Sequence, residues 1–248
     1  MKDKGHISVV FVLVLLISVI AHIPANFALR YIPQIPGLEF HSISGTVWNG
    51  TVQEFRWQSQ SFGNLHWTFN WLSVLIGNAG VSLCLSGLPG LSGCGNVGYE
   101  INGLYVSNLF LSVPATFIQP YVPYTLPVNL SGQFDLAIRN YTFKKAFCDT
   151  LDGRLVWSQS NIITPLSEVD YGLIAAKLSC NEGHLVIASD NESGALRTKF
   201  NVVFNPDQHY SINGWFIPGE ELPEGIKSQL SWLGQLDNEG RYKLNTSY

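Results

Sequence analysis

Apolar and polar residues alternate along several stretches of this chain. That period of two is expected of strands with one dry and one wet face. Leu65, Trp67, Phe69 and Trp71 share one face, and Val81, Leu83 and Leu85 repeat the pattern while turning Cys84 the other way. Leu109, Leu111 and Val113 form another run, closed by Pro114. Further on, Phe134, Leu136 and Ile138 stand against Asp135 and Arg139, and Leu196, Thr198, Phe200, Val202 and Phe204 against Arg197, Lys199 and Asn201. The pattern predicts a mainly β fold, an extended, antiparallel, meandering and twisted sheet. Its apolar side must be covered by the sheet itself, a helix, a partner or lipid.

Glycine-centred units punctuate these runs. The first is Ser44-Gly45-Thr46-Val47-Trp48-Asn49-Gly50-Thr51-Val52, where two glycines bracket a β-branched and aromatic run. Variants recur around Gly132, Gly153, Gly183 and Gly214. Each predicts a turn opening into a strand, because glycine takes a positive φ without steric cost. Their irregular intervals argue against a solenoid and suit a meander.

Two segments break the alternation. From Ile7 to Ala21 every residue is apolar or Ser, and His22 and Ile23 carry the run to Pro24. Lys2 and Lys4 precede it, and the residues around Ala25 and Ala28 make a poor cleavage site. The expectation is a retained transmembrane anchor over 7–23, with 1–6 in the cytoplasm and the remainder exported. A stiff proline-rich linker is expected over 24–37, and a β domain over 38–248. Residues 114–127 hold Pro114, Pro120, Pro123 and Pro127, which exclude a central strand and suggest halves at 38–113 and 128–248. Near the end, Ile226, Leu230, Leu233 and Leu236 recur at helical spacing after Glu220, Glu221 and Pro223. They predict one short helix reaching Gly234, followed by a last strand at Gly240–Leu244.

Composition narrows the function. Among 248 residues only 13% are charged, and the formal net charge of −4 offers no basic stripe for a nucleic acid. The six histidines lack partners at metal-ligand spacing, and no phosphate loop or nucleophile elbow occurs. His66 reads as a solvated strand residue, and Asp190–Gly194 as a plain turn without calcium-ligand spacing. No catalytic residue, metal or cofactor is expected. Asn49, Asn129, Asn140, Asn191 and Asn245 each begin an Asn-x-Ser/Thr triplet, which is a glycan acceptor only in a eukaryotic secreted chain. Four cysteines in an exported chain suggest two disulfides, with three pairings open. Cys84–Cys94 around a Gly/Pro turn and Cys148–Cys180 across two glycine units are the geometrically simple choice.

Taken in order, the amino-terminal anchor, the Ser44–Gly50 signature and the proline-rich middle resemble the type II secretion system protein N family. So do Cys148-x4-Gly153, Cys180-x2-Gly183 and the closing Leu222-Pro223 segment before Gly240-Arg241-Tyr242. The resemblance implies a single-pass protein of the bacterial inner membrane, with its bulk in the periplasm. It further implies an accessory, non-catalytic subunit of the apparatus that exports folded proteins across the outer membrane. Its partners would be inner-membrane and periplasmic subunits of that system. The alternative is a resemblance to AsmA-like lipid-handling proteins, in which the apolar sheet face is a groove for lipid.

Overall fold

The computed structural model describes residues 2–29, 35–74, 77–101, 103–121, 129–144, 147–163, 168–207, 209–228, 230 and 235–247. The fold is mainly β and antiparallel, with strands joined in sequence order and few helical residues after the amino terminus. It divides into two compact units, Met1–Leu88 and Pro89–Tyr248.

The first unit opens with α1 (Lys2–Ala21) and α2 (Ala25–Leu29). Helix α1 stops where Pro24 approaches: the His22 N–H reaches back to Ser18 and Val19 carbonyls, both at 3.2 Å. Among the described residues no helix is long and apolar enough to cross a membrane. The expected anchor over 7–23 is therefore redrawn as a helix whose first turn holds Lys2, Asp3 and Lys4 and whose apolar part ends at Ala21. The expected linker is redrawn as well. Ala25–Leu29 is helical, and part of the proline-rich stretch lies outside the described residues.

The strands of this unit are β1 (Leu38–Gly45), β2 (Asn49–Trp57), β3 (Gln60–Ser61), β4 (Asn64–Phe69) and β5 (Ala79–Leu88). Strand β2 pairs with β1, β3 and β4, and β4 with β5. Gln58 and Ser59, at φ 49° and 69°, form the two-residue turn between β2 and β3. Trp71 does not continue the β4 row as the alternation suggested. The Asn70 side-chain oxygen accepts the Ser73 N–H at 3.3 Å, a cap that starts the short helix α3 (Trp71–Val74).

The second unit is a nine-strand meander, β6 (Leu91–Glu100), β7 (Gly103–Pro114), β8 (Asn129–Phe143), β9 (Thr150–Ile163), β10 (Glu168–Asn181), β11 (His184–Glu192), β12 (Leu196–Phe204), β13 (Tyr210–Pro218) and β14 (Tyr242–Ser247). Each strand after β6 pairs with its predecessor. Strands β7 and β8 pair across the proline-rich connector, Val113 opposite Phe134 and Leu111 opposite Leu136. The connector's described part folds into α4 (Ala115–Ile118) and a 3-10 turn, Gln119–Tyr121.

One face of this meander carries Leu111, Leu136 and Leu155 in one row and Phe134 and Trp157 in the next, their rings stacked 5.0 Å apart. Leu178, Ile187, Val202 and Ile212 continue it. The opposite face carries Ala137, Arg154, Lys177, Ala188, Asn201, Asn213 and Asn245 in register. Full burial is confined to a few residues, including a cluster of Val169, Ala195 and Leu222. Ile226 and Leu230 pack on that cluster. The helix expected there is regular only over α5 (Glu224–Lys227), Leu236 is 51% exposed, and Leu233 and Gly234 lie outside the described residues.

The glycine units divide into two kinds. Gly45 and Gly183, at φ 91° and 85°, sit at turns. Gly132, Gly153 and Gly214 lie inside strands instead. Gly132 (φ 97°) marks a register shift between β8 and β9. Gly214 stands opposite Phe200, whose ring occupies the space a Cβ would need. The Asp190–Gly194 turn is also shorter than expected, since β11 runs on to Glu192.

Candidate functional site at the junction of helix and sheet

The Ser44–Gly50 signature is where α1 meets the sheet. Its turn closes with the Thr46 N–H on the Asn49 carbonyl at 2.8 Å and the Asn49 N–H on Thr46 Oγ1 at 3.2 Å. Gly45 is needed on two counts: its φ is positive, and a Cβ would press on the Asn49 carbonyl and Gly50 Cα. Two contacts then bind the helix end. The Val47 N–H donates to the Ile23 carbonyl at 3.0 Å, and Pro24 bridges to Thr46.

Trp48 completes the junction. Its indole Nε1 donates to the Ile20 carbonyl at 2.8 Å. The last carbonyls of a helix have no intrahelical donor, so this bond caps α1 from outside the helix. The Trp48 ring lies 4.1 Å from that of Trp71 and 5.2 Å from that of Phe69. Behind it, Trp67 Nε1 donates to the Val47 carbonyl at 3.0 Å. Trp67 stands opposite Gly50, and a Cβ on Gly50 would run into its ring. The second glycine of the signature therefore makes room for a tryptophan.

Gly45, Trp48 and Gly50 are thus brought together, whereas Gly132, Gly153, Gly183 and Gly214 are distributed over the second unit's sheet. Trp67 and Trp71 were missed as partners of the signature. For Trp67 the available signal was that a half-buried indole N–H needs an acceptor, whereas Trp71, 51% exposed, carried no such signal. His66, on the opposite face, is exposed and lies between Thr51 Oγ1 at 3.0 Å and Thr68 Oγ1 at 3.2 Å.

In the second unit, Cys148 and Cys180 form a disulfide with Cα atoms 5.5 Å apart, and Cys148 is 1% exposed. It ties the β8–β9 connection to the end of β10. Cys84 and Cys94 are also disulfide-bonded, and no cysteine is free. The wet face holds two shallow basins of about 760 and 800 Å³. The first is floored by Ala137, Ala175 and Ala188 beside Arg154 and Lys177, and the second is lined by Asn201, Asn213, Trp215 and Lys243. Among the described residues no group of three or more His, Cys, Asp or Glu is placed to hold a metal. Burial raises the Tyr141 and Tyr171 hydroxyls above their usual range. Asp237 is pulled down to about 2, chiefly by the Arg241 backbone N–H it accepts.

Residues 36–245 match the family model described as type II secretion system (T2SS), protein N. The chain belongs to that family. A type II secretion system protein N of Vibrio cholerae is 33% identical over 99% of this chain and 98% of its own length. One from Aeromonas hydrophila is 32% identical over 98% of each, and one from Pectobacterium carotovorum 24% identical over 91% of this chain and 89% of its own. No solved structure matches. The family match takes in the whole signature, and the Vibrio match extends over the amino-terminal helix that docks on it.

Proposed function

We propose that this chain is an accessory, non-catalytic component of the type II secretion apparatus, anchored in the bacterial inner membrane by α1, with both β units in the periplasm. Its role is to take part in protein export across the outer membrane. Family membership supports the secretion role. The observation that carries the anchor is the surface of α1. From Val9 to Ile17, and again at Val19 and Ile20, its apolar side chains are 48–66% exposed, on every side of the helix. A helix apolar all round and left uncovered by its own protein suits lipid.

The fit is short. Fifteen helical residues from Ile7 to Ala21 reach about 22 Å against a hydrocarbon core of about 30 Å. Local bilayer thinning makes up the difference. Lys2 and Lys4 also favour a cytoplasmic amino terminus. The test is an alkaline phosphatase fusion after Tyr248, with carbonate extraction of the membranes. An active enzyme in the membrane pellet is expected; an inactive fusion, or a mature chain starting near residue 29, would refute the arrangement. Crosslinking in intact membranes, followed by pull-down, is expected to recover inner-membrane and periplasmic subunits of the apparatus.

A second reading rests on the second unit's apolar face, where Leu111, Leu136, Leu155 and Trp157 are only half-buried. In that reading the face holds lipid, as in AsmA-like proteins. Photo-crosslinking from position 155 in intact membranes separates the two: phospholipid adducts there support the groove, and their absence removes it.

A further inference from the structure

Resting on the anchor reading above, we propose that α3, the Trp71–Val74 helix, is a second membrane contact. It inserts into the lipid interface beside the end of α1. The side chains argue for it first. Leu72 is 76% exposed, Trp71 51% and Val74 46%. A tip where three large apolar residues project outward costs solubility unless something covers it. In the sequence it lies between Phe69, on a half-buried strand face, and Ala79, where β5 begins.

Position decides what covers it. Trp48 Nε1 holds the Ile20 carbonyl, and the Trp48 ring lies 4.1 Å from that of Trp71. Ile20 is in the last turn of α1, where a membrane helix leaves the hydrocarbon for the headgroups. Trp71 therefore sits at the depth where an indole, apolar in body and polar at one end, is most favourably placed. Leu72 and Val74, on the same short helix, supply the apolar insertion.

Charge agrees with this placement. Between Arg56 and Glu100 the sequence contains no Asp, Glu, Lys or Arg. Strands β4 and β5, which carry α3 between them, can thus approach a bilayer without stripping water from a charge or meeting repulsion from anionic lipid. A protein partner would be expected to leave a polar rim around such a patch, and this segment has no charged rim to offer. With two attachments rather than one, the first unit would be held at a fixed tilt to the membrane instead of turning freely about α1.

The test uses the full chain, exported so that its disulfides form and then reconstituted in phosphatidylethanolamine–phosphatidylglycerol vesicles. Single variants Leu72→Cys, Val74→Cys, Ile17→Cys and Asn213→Cys are labelled with an environment-sensitive fluorophore. Each is quenched in turn by doxyl lipid and by aqueous iodide. Labels at 72 and 74 are expected to be quenched several-fold more by shallow doxyl lipid than the label at 213, and to be shielded from iodide. The label at 17 is expected to answer to deep doxyl lipid. If 17 is protected while 72 and 74 are as open to iodide as 213, the α3 proposal is overturned and the anchor stands. If 17 is itself open to iodide, the anchor falls and α3 with it. Shielding of 72 and 74 from both quenchers would mean that protein covers the tip, which also overturns the proposal.

Discussion

Removing the Cys148–Cys180 bond should destabilise the second unit by an amount that its loop length sets. The two residues are 32 apart in sequence. In the chain-entropy model a loop of that size restricts the unfolded chain by about 12 cal/mol/K, or about 3.7 kcal/mol at 25 °C. The native side adds to this, because Cys148 is buried and its replacement leaves less packed volume. The cleanest perturbation is the double variant Cys148→Ala/Cys180→Ala, which leaves no lone thiol to mispair. At about 2–4 °C per kcal/mol for a chain of this size, the thermal midpoint should fall by roughly 7–15 °C. Urea unfolding of the oxidised wild type and the double variant, both keeping Cys84 and Cys94 oxidised, reads the same difference without a temperature correction. Each single variant should come close to the double, since either alone abolishes the bond. Equal urea midpoints for wild type and double variant would refute the reasoning.

Gly45→Val should cost about 1–3 kcal/mol, because a β-branched residue is strained at φ 91° and its Cβ meets the Asn49 carbonyl. An unchanged thermal midpoint would show that the turn relaxes freely. Lys177 stands directly opposite Arg154 on the wet face, a like-charge pair across β9 and β10. Lys177→Glu should therefore stabilise by about 0.2–1 kcal/mol in urea unfolding, less as salt is added; no gain at low salt would count against the cross-strand argument. Asp237, lowered to about 2, favours the folded state fully above its ordinary value and loses that contribution as pH falls towards 2. Carbon NMR of its carboxyl should give a midpoint near 2, and one near 3.8 would remove the Arg241 contact from the account.

Strands were legible where their two faces differ in chemistry. Leu196, Thr198, Phe200 and Val202 alternate with Arg197, Lys199 and Asn201, and β12 runs from Leu196 to Phe204 over that pattern. Glycine was read less well because one residue type answers two needs. It turns the chain at Gly45 and Gly183, but at Gly214 and Gly50 it only leaves space for an aromatic ring on the neighbouring strand. That ring is distant in sequence, so the pattern around the glycine does not reveal it. At residues 114–127 the prolines disfavour a strand within the connector, yet loop closure grows costly only slowly with length, and β7 and β8 find each other across it. The turn at Gln58-Ser59 carries no glycine at all, and its positive φ values were invisible in advance. At the junction, Gly45 and Trp48 stood out as residues, but their use did not. Which carbonyl an indole will reach is fixed by the docking of α1, not by neighbours in the sequence.

Sequential pairing in the second unit also bears on how the protein can be made. From β7 to β14, every strand finds its partner immediately upstream. A chain delivered amino end first, whether from the ribosome or through a translocation channel, can add each strand to an edge already in place. No strand must wait for one not yet delivered, and the growing edge is always the strand delivered last. The Cys148–Cys180 bond then falls mid-way through delivery, locking the β8–β9 connection to the end of β10 before β11 to β14 have arrived.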